Sequence, residues 1–181
     1  MTIQIDKKEF ELLLEYDQIE KNIRLIGIQI NVAYEKRLPV FISVLNGSFM
    51  FAADLLKEIE IGCEISFVKL ASYQGERQSE QIKNLIGLNM SLQDREVIIL
   101  EDIVESGNTL KQVIELVKKE KPASVAVCTL LLKPAALQHD FDEIAYVGFE
   151  IENEFVVGYG LDYNGLGRNL KDIYRLKREI P

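Results

Sequence analysis

The stretch Val97 to Leu110, VIILEDIVESGNTL, limits what this chain can fold into more than any other. Four apolar residues, Val97 to Leu100, run into two adjacent carboxylates, Glu101 and Asp102. Glu105 follows, then Ser106, Gly107, Asn108 and Thr109, and then a run with helical spacing. Strand, short loop, helix is the unit with which open α/β sheets build ligand sites at the carboxyl ends of their strands. Gly107 lets the backbone come close to a ligand. Ser106 and Thr109 add hydroxyls, and the start of a helix offers unpaired N–H groups and a positive dipole end. These are the parts of a phosphate cradle. Acids beside an anion site make sense if the ligand also carries sugar hydroxyls and a metal. Glu101 and Asp102 can accept hydrogen bonds from a ribose diol, and can hold Mg²⁺ directly or through water. Successive strand residues point to opposite faces, so the two acids are expected to divide these jobs.

The rest of the chain supplies the elements around this unit. Residues 10–14, FELLL, read as a short edge strand or as the lead into a helix. Ile19, Ile23, Ile26, Ile30 and Ala33 recur at helical spacing, with Asp17 as N-cap, Glu20 as capping-box partner and an end near Arg37, before Pro39. Pro39 to Leu45 is a buried strand, Asn46-Gly47-Ser48 a turn, and Phe49 to Glu58 a helix. Cys63 to Leu70 alternates as a strand does. Ser72 to Gln81 is polar and reads as a long hairpin arm or loop. Leu110, Val113, Ile114 and Val117 place a helix over 109–121, with Lys118, Lys119 and Lys121 suiting its negative end. Further strands are expected at Ser124–Leu132, Ile144–Glu150, Phe155–Gly160 and Ile173–Lys177. Strands and helices alternate from 39 to 132, which calls for a parallel sheet with right-handed crossovers.

With 181 residues the chain fits one domain, 1–181. Its net charge of −8 argues against broad electrostatic binding to nucleic acid or to an anionic membrane. An anionic substrate must then be held locally, by helix N-termini, a metal and a few cations. No secretory signal and no apolar run long enough to span a bilayer is visible, so a cytoplasmic location is expected. Cys63 and Cys128 sit inside apolar strand-like runs and read as buried small hydrophobes in a reducing compartment. The two Asn-x-Ser matches, at Asn46 and Asn89, carry no meaning without a secretory signal. His139, the only histidine, lies in a polar segment and is given no catalytic or metal role.

Taken with VLNGSFMFAADL at 44–55, Ser72-Tyr73, TLLLKP at 129–134 and EFVVGYGLDYN at 154–164, the central stretch resembles the type I phosphoribosyltransferases. Within them it is similar to the hypoxanthine (hypoxanthine-guanine) branch. The central motif marks phosphoribosyl diphosphate (PRPP) binding, and the 154–164 block marks the 6-oxopurine branch. The resemblance implies an α/β fold: a mainly parallel twisted sheet flanked by helices, with a small hood built from the N-terminal segment and about 151–181. It also implies a lid loop over about 72–91, with Ser72 and Tyr73 at its base.

The implied reaction joins hypoxanthine or guanine to PRPP, giving IMP or GMP and pyrophosphate, with Mg²⁺ as cofactor. The resemblance gives PRPP to Asn46, Gly47, Glu101, Asp102, Glu105, Ser106, Gly107, Asn108, Thr109 and Arg168. It gives the purine to Ile103, Lys133, Phe155, Val156 and Asp162, and the metal to Glu101, Asp102 and Asp162. Phe155 would stack on the base, with Ile103 on its other side, and Lys133 would donate to purine O6. The family often places a non-proline cis peptide in the Leu45-Asn46-Gly47 loop. Many members carry Lys or Arg where this chain has Asn46. Glu105 stands where members usually have Asp, the residue assigned to take the proton from purine N7. Two readings stay open: Glu105 is the base with an adjusted loop, or deprotonation matters less here than positioning. A homodimer or homotetramer is also implied.

Three alternatives stand beside this reading. An RNA-binding regulator of the same fold would want a basic face, which the charge disfavours. A generic nucleotide-binding enzyme is disfavoured because no Walker A sequence is present and Gly158-Tyr159-Gly160 lacks the third glycine of a dinucleotide fingerprint. A xanthine preference is left open by the sequence.

Overall fold

The computed structural model describes residues 1–70, 84–88 and 90–177, with residues 84–86 described by their backbone alone. The elements in chain order are β1 (Thr2–Ile5), β2 (Lys8–Leu14), α1 (Tyr16–Ala33), β3 (Val40–Val44), α2 (Phe49–Lys57), β4 (Glu64–Leu70), β5 (Asn84–Ile86), β6 (Glu96–Val104), α3 (Asn108–Lys119), β7 (Ser124–Leu132), β8 (Ile144–Glu150), β9 (Val156–Val157) and β10 (Ile173–Leu176). They form two sheets. The larger has the order β5-β4-β3-β6-β7-β8 and the smaller β1-β2-β10-β9.

In the larger sheet β4, β3, β6, β7 and β8 are parallel, and only β5 joins antiparallel. β6 lies between β3 and β7, so neither of its edges is free, and Val97 to Leu100 are wholly buried. Continuous apolar runs with β-branched residues are what such central parallel strands need. Ile98 and Leu100 pack in one cluster with the apolar sides of α1 and α2. Val97 and Ile99 pack in another with Leu110, Val113, Ile114 and Val117 of α3. The sheet thus has helices on both faces, as alternating β and α segments require.

The smaller sheet is wholly antiparallel and joins the two ends of the chain, with β10 inserted between β2 and β9. Its core is Ile5, Phe10, Val157 and Tyr174. It is the hood, and β2 is an interior strand of it rather than an edge. β1 has no counterpart in the sequence reading.

Three boundaries depart from the expected ones. α1 starts at Tyr16 with Glu15 as N-cap, not Asp17, because Gln18 closes a capping box with Glu15. The Gln18 side chain accepts from the Glu15 amide at 3.0 Å, and the Tyr16 amide donates to Asp172 at 2.8 Å. The helix stops at Ala33, and 34–36 form a turn, so Arg37 lies outside it. The strand expected over 155–160 shrinks to Val156–Val157. Gly158, Tyr159 and Gly160 have φ of 102°, 49° and 97°, and three left-handed residues in a row cannot continue a strand. The expected lid falls largely outside the described residues, Ser72 and Tyr73 among them.

Phe10 is fully buried at the centre of the hood cluster, with Phe155 and Tyr163 rings 6.3 Å and 6.0 Å away. Phe10→Ala is expected to lower the unfolding free energy by roughly 3–5 kcal/mol, as measured by urea titration. A loss under about 1 kcal/mol would mean that the hood contributes little to the cooperative unit.

Candidate active site

β6 runs on through the acids to Val104, so Glu101 and Asp102 lie inside its last residues rather than after it. Both line one cavity of about 350 Å³, with Gly47, Ile103, Glu105, Ser106, Gly107, Thr109, Asp162 and Arg168. Lining one cavity together, the two acids are both within reach of a single ligand. The cavity lies past the carboxyl end of the strand, where side chains from both faces reach the same space.

Burial, and then the neighbouring Asp102, push the Glu101 carboxyl well above the usual carboxylate range. Asp102 is pushed up to about 6, chiefly by burial. The Ile103 amide, 2.9 Å from Asp102 Oδ1, and the charge of Arg168 pull it back down. Two partly desolvated carboxylates side by side are costly, and a cation or a set of hydroxyl donors would relieve both.

The loop 45–47 forms the opposite wall. The Leu45–Asn46 peptide is cis, where the family resemblance placed such a bond. A Cβ on Gly47 would lie 1.4 Å from Asp102 Oδ2, so only glycine fits against that carboxylate. Gly160, at φ +97°, stacks next: a Cβ there would meet the Gly47 carbonyl at 2.1 Å. Arg168 donates to the Gly160 carbonyl at 2.7 Å and pairs with Asp162 at 2.5 Å. The second Asp162 oxygen accepts from the Gly165 amide at 2.7 Å. The 160–168 loop, which leads back to the hood, is thereby clamped against the sheet.

The third wall is the turn from β6 into α3. Gly107 has φ of 82° and is the N-cap of α3. The Asn108 amide donates to Ser106 Oγ at 3.3 Å, and the Lys111 amide to the Gly107 carbonyl at 2.9 Å. The first-turn amides of α3 before Lys111 have no acceptor four residues back within the helix and suit an anion.

The comparisons with known proteins decide what this cleft belongs to. Residues 12–164 match the phosphoribosyl transferase domain. The chain belongs to the phosphoribosyltransferase family. It is 40% identical over 94% of its length to a hypoxanthine-guanine phosphoribosyltransferase of Staphylococcus aureus, covering 95% of that protein. It is 42% identical to a bifunctional TilS/HprT protein of Listeria monocytogenes, of which it spans only 26%. A crystal structure of a hypoxanthine-guanine phosphoribosyltransferase from Bacillus anthracis superposes with a TM-score of 0.85 at 34% identity, covering 93% of this chain and 97% of that one. A hypoxanthine phosphoribosyltransferase from Staphylococcus aureus gives 0.86 at 39% identity, covering 92% and 91%.

Some residues that the phosphoribosyltransferase resemblance singled out lie elsewhere. Asn46 is exposed and, like Asn108, is not on the cavity wall. Lys133 is 3% exposed and forms an ion pair with Glu105, whose side chain is 54% exposed. These two groups, assigned separately to the base edge, hold each other. Phe155 is exposed and sits edge-on to Tyr163 at 5.8 Å, while Val156 is buried in β9. Among the described residues, no three His, Cys, Asp or Glu side chains converge as a metal cage. A metal here would rest on Glu101 and Asp102 and take its other oxygens from ligand and water, the usual manner of Mg²⁺.

Sequence reasoning missed Tyr159. It is fully buried, and its hydroxyl donates to Asp54 of α2 at 2.6 Å, which ties the turn before Arg168 to the sheet side of the cleft. Burial and Asp54 push the Tyr159 hydroxyl far up from its ordinary value. An aromatic between two glycines was the available signal.

Asp102 titrates near 4 in an unfolded chain and at about 6 here. The folded chain therefore binds more protons between those values, and stability falls as pH rises from about 4 to 6 and stays lower above. Asp102→Asn is expected to raise the unfolding free energy at pH 7.5 by roughly 1–3 kcal/mol, with the gain vanishing below about pH 4. Urea titrations at both pH values check this. A gain equal at both would rule out titration of Asp102 as the cause.

Proposed function

We propose that this phosphoribosyltransferase acts in purine salvage as one domain, moving the 5-phosphoribosyl group of PRPP to N9 of hypoxanthine, and of guanine. The observation that carries this reading is the meeting of acid pair, amide loop and Arg168 around one cleft at the carboxyl edge of the sheet. The names of the relatives support the choice of base.

In the reaction the C1–O bond to pyrophosphate breaks, with its electron pair leaving on oxygen, and purine N9 bonds to the anomeric carbon. Ser106, Gly107 and Thr109, with the first turn of α3, receive the 5′-phosphate. Glu101 and Asp102 accept from the ribose hydroxyls and position the diol. Gly47 and its neighbouring amides, with Arg168, hold pyrophosphate, and a guanidinium can grip it through two parallel hydrogen bonds. Lys133 donates to purine O6, and Glu105 takes the proton from N7. Ile103 and Phe155 flank the base, and Val156 offers backbone groups to its edge. Glu101, Asp102 and Asp162 would hold Mg²⁺, which would supply charge neutralisation to the leaving pyrophosphate. The reading carries a cytoplasmic location and self-association into a dimer or tetramer, which sedimentation velocity would measure.

The test is PRPP-dependent turnover of hypoxanthine, guanine, xanthine and adenine, with and without chelation of Mg²⁺. Hypoxanthine and guanine should turn over, adenine should not, and chelator should abolish the rate. A preference for xanthine would move the substrate within the same fold, and no turnover of any base would defeat the reading. Glu105→Gln should lower kcat for hypoxanthine by about 10²–10⁴-fold. Full activity would assign the proton elsewhere.

A further inference from the structure

The segment 137–141 makes contacts that the proposed chemistry does not use. Asn108, the first residue of α3, is held from both sides of its amide. His139 Nε2 lies 2.7 Å from Asn108 Oδ1, and Asn108 Nδ2 donates to Gln138 Oε1 at 3.5 Å. Because Oδ1 is an acceptor only, His139 donates through Nε2–H. The Gln138 amide also donates to the Ser106 carbonyl at 3.0 Å. Phe141 lies over Gly107 so closely that a Cβ there would sit 2.5 Å from its ring, and His139 meets Phe141 edge-on at 6.1 Å. Each of Ser106, Gly107 and Asn108 is thus held from outside the cleft by a residue of 138–141.

The segment is itself anchored along α3. Leu137 and Phe141 pack against the cluster containing Leu110 and Val113, and Glu143 pairs with Lys118 at 2.5 Å. His139 does not line the cavity. Any effect it has must pass through Asn108, or through Phe141 to Gly107, to the turn between β6 and α3.

We propose that His139 is a positioning residue for the 5′-phosphate: it holds the start of α3 so that the loop amides are aimed before the ligand arrives. This rests on the reading that Ser106–Thr109 receive that phosphate. Orientation fixed in advance spares the ligand the entropy of ordering its own site. The consequence is selective. Affinity for anything carrying the 5′-phosphate depends on His139, whereas purine affinity and the chemical step do not.

The test compares wild type, His139→Ala and His139→Gln. For His139→Ala, the KM for PRPP should rise about five- to tenfold, a typical worth of one lost hydrogen bond. The KM for hypoxanthine and kcat should stay within about twofold of wild type. In calorimetry, the preference for IMP over inosine should shrink by the same factor as the PRPP KM rises. His139→Gln, which keeps an N–H donor, should restore both. An unchanged preference for IMP in His139→Ala, or an equal loss for nucleotide and nucleoside, would overturn the positioning role while leaving the phosphate loop in place. Wild type binding inosine as tightly as IMP would overturn the loop assignment, and the positioning role with it.

Discussion

Two adjacent carboxylates at the end of the central strand, Glu101 buried and Asp102 half-buried, set the terms for the rest of the molecule. Glu101 is 4% exposed, and its carboxyl is pushed well up by burial and by Asp102. A fold selected for stability alone would not place them there, since replacing buried charge with apolar groups is often neutral or stabilising. The covered parallel strand carries the cost: Val97 to Leu100 are wholly buried and anchor the backbone up to the acids. Arg168 offsets part of it from across the cleft. Acids placed in this way create a demand for donors and cations, which hydroxyl groups and a metal can meet.

That demand also explains the glycines. Gly47 has no room for a Cβ because Asp102 occupies the space, and Gly160 none because the Gly47 carbonyl does. Asp102, Gly47 and Gly160 form a stack from the central strand, through the 45–47 loop, to the loop that returns to the hood. Arg168 closes it by holding the Gly160 carbonyl and Asp162. The two sheets therefore meet at the site itself.

The elements around the acids were legible because their patterns are local. Ser124–Leu132 and Ile144–Glu150 match their strands residue for residue, since an apolar run between turns carries its own limits. The turn of Gly107 into α3 was legible for the same reason. The hood was legible only through resemblance. β2 and β10 pair across nearly the whole length of the chain, and no local period announces such a pairing. The start of α1 was misplaced because Gln18, not Glu20, closes its capping box, and because Asp172 reaches the Tyr16 amide from 156 positions away. The Glu105–Lys133 pair escaped for a similar reason. Each residue was read against an absent ligand, and neither against the other, 28 positions apart in sequence.

That pair bears on how the base would be chosen. Lys133 is buried and needs a partner whether or not a purine is present. Glu105, exposed and one methylene longer than Asp, supplies it. On the proposed reading a 6-oxopurine parts the pair without leaving either charge unmatched: O6 takes the ammonium, and the N7 proton takes the carboxylate. Adenine offers an amino group where O6 would be, a donor facing a donor. Lys133 must then either stand unpaired in a buried position or keep Glu105, which removes the proton acceptor. Sites that reject an analogue by leaving a buried polar group unmatched discriminate far more strongly than sites that only fit shape, by as much as about 10⁴–10⁵. Selectivity of this kind comes less from the attraction of O6 than from the penalty on every base that lacks it.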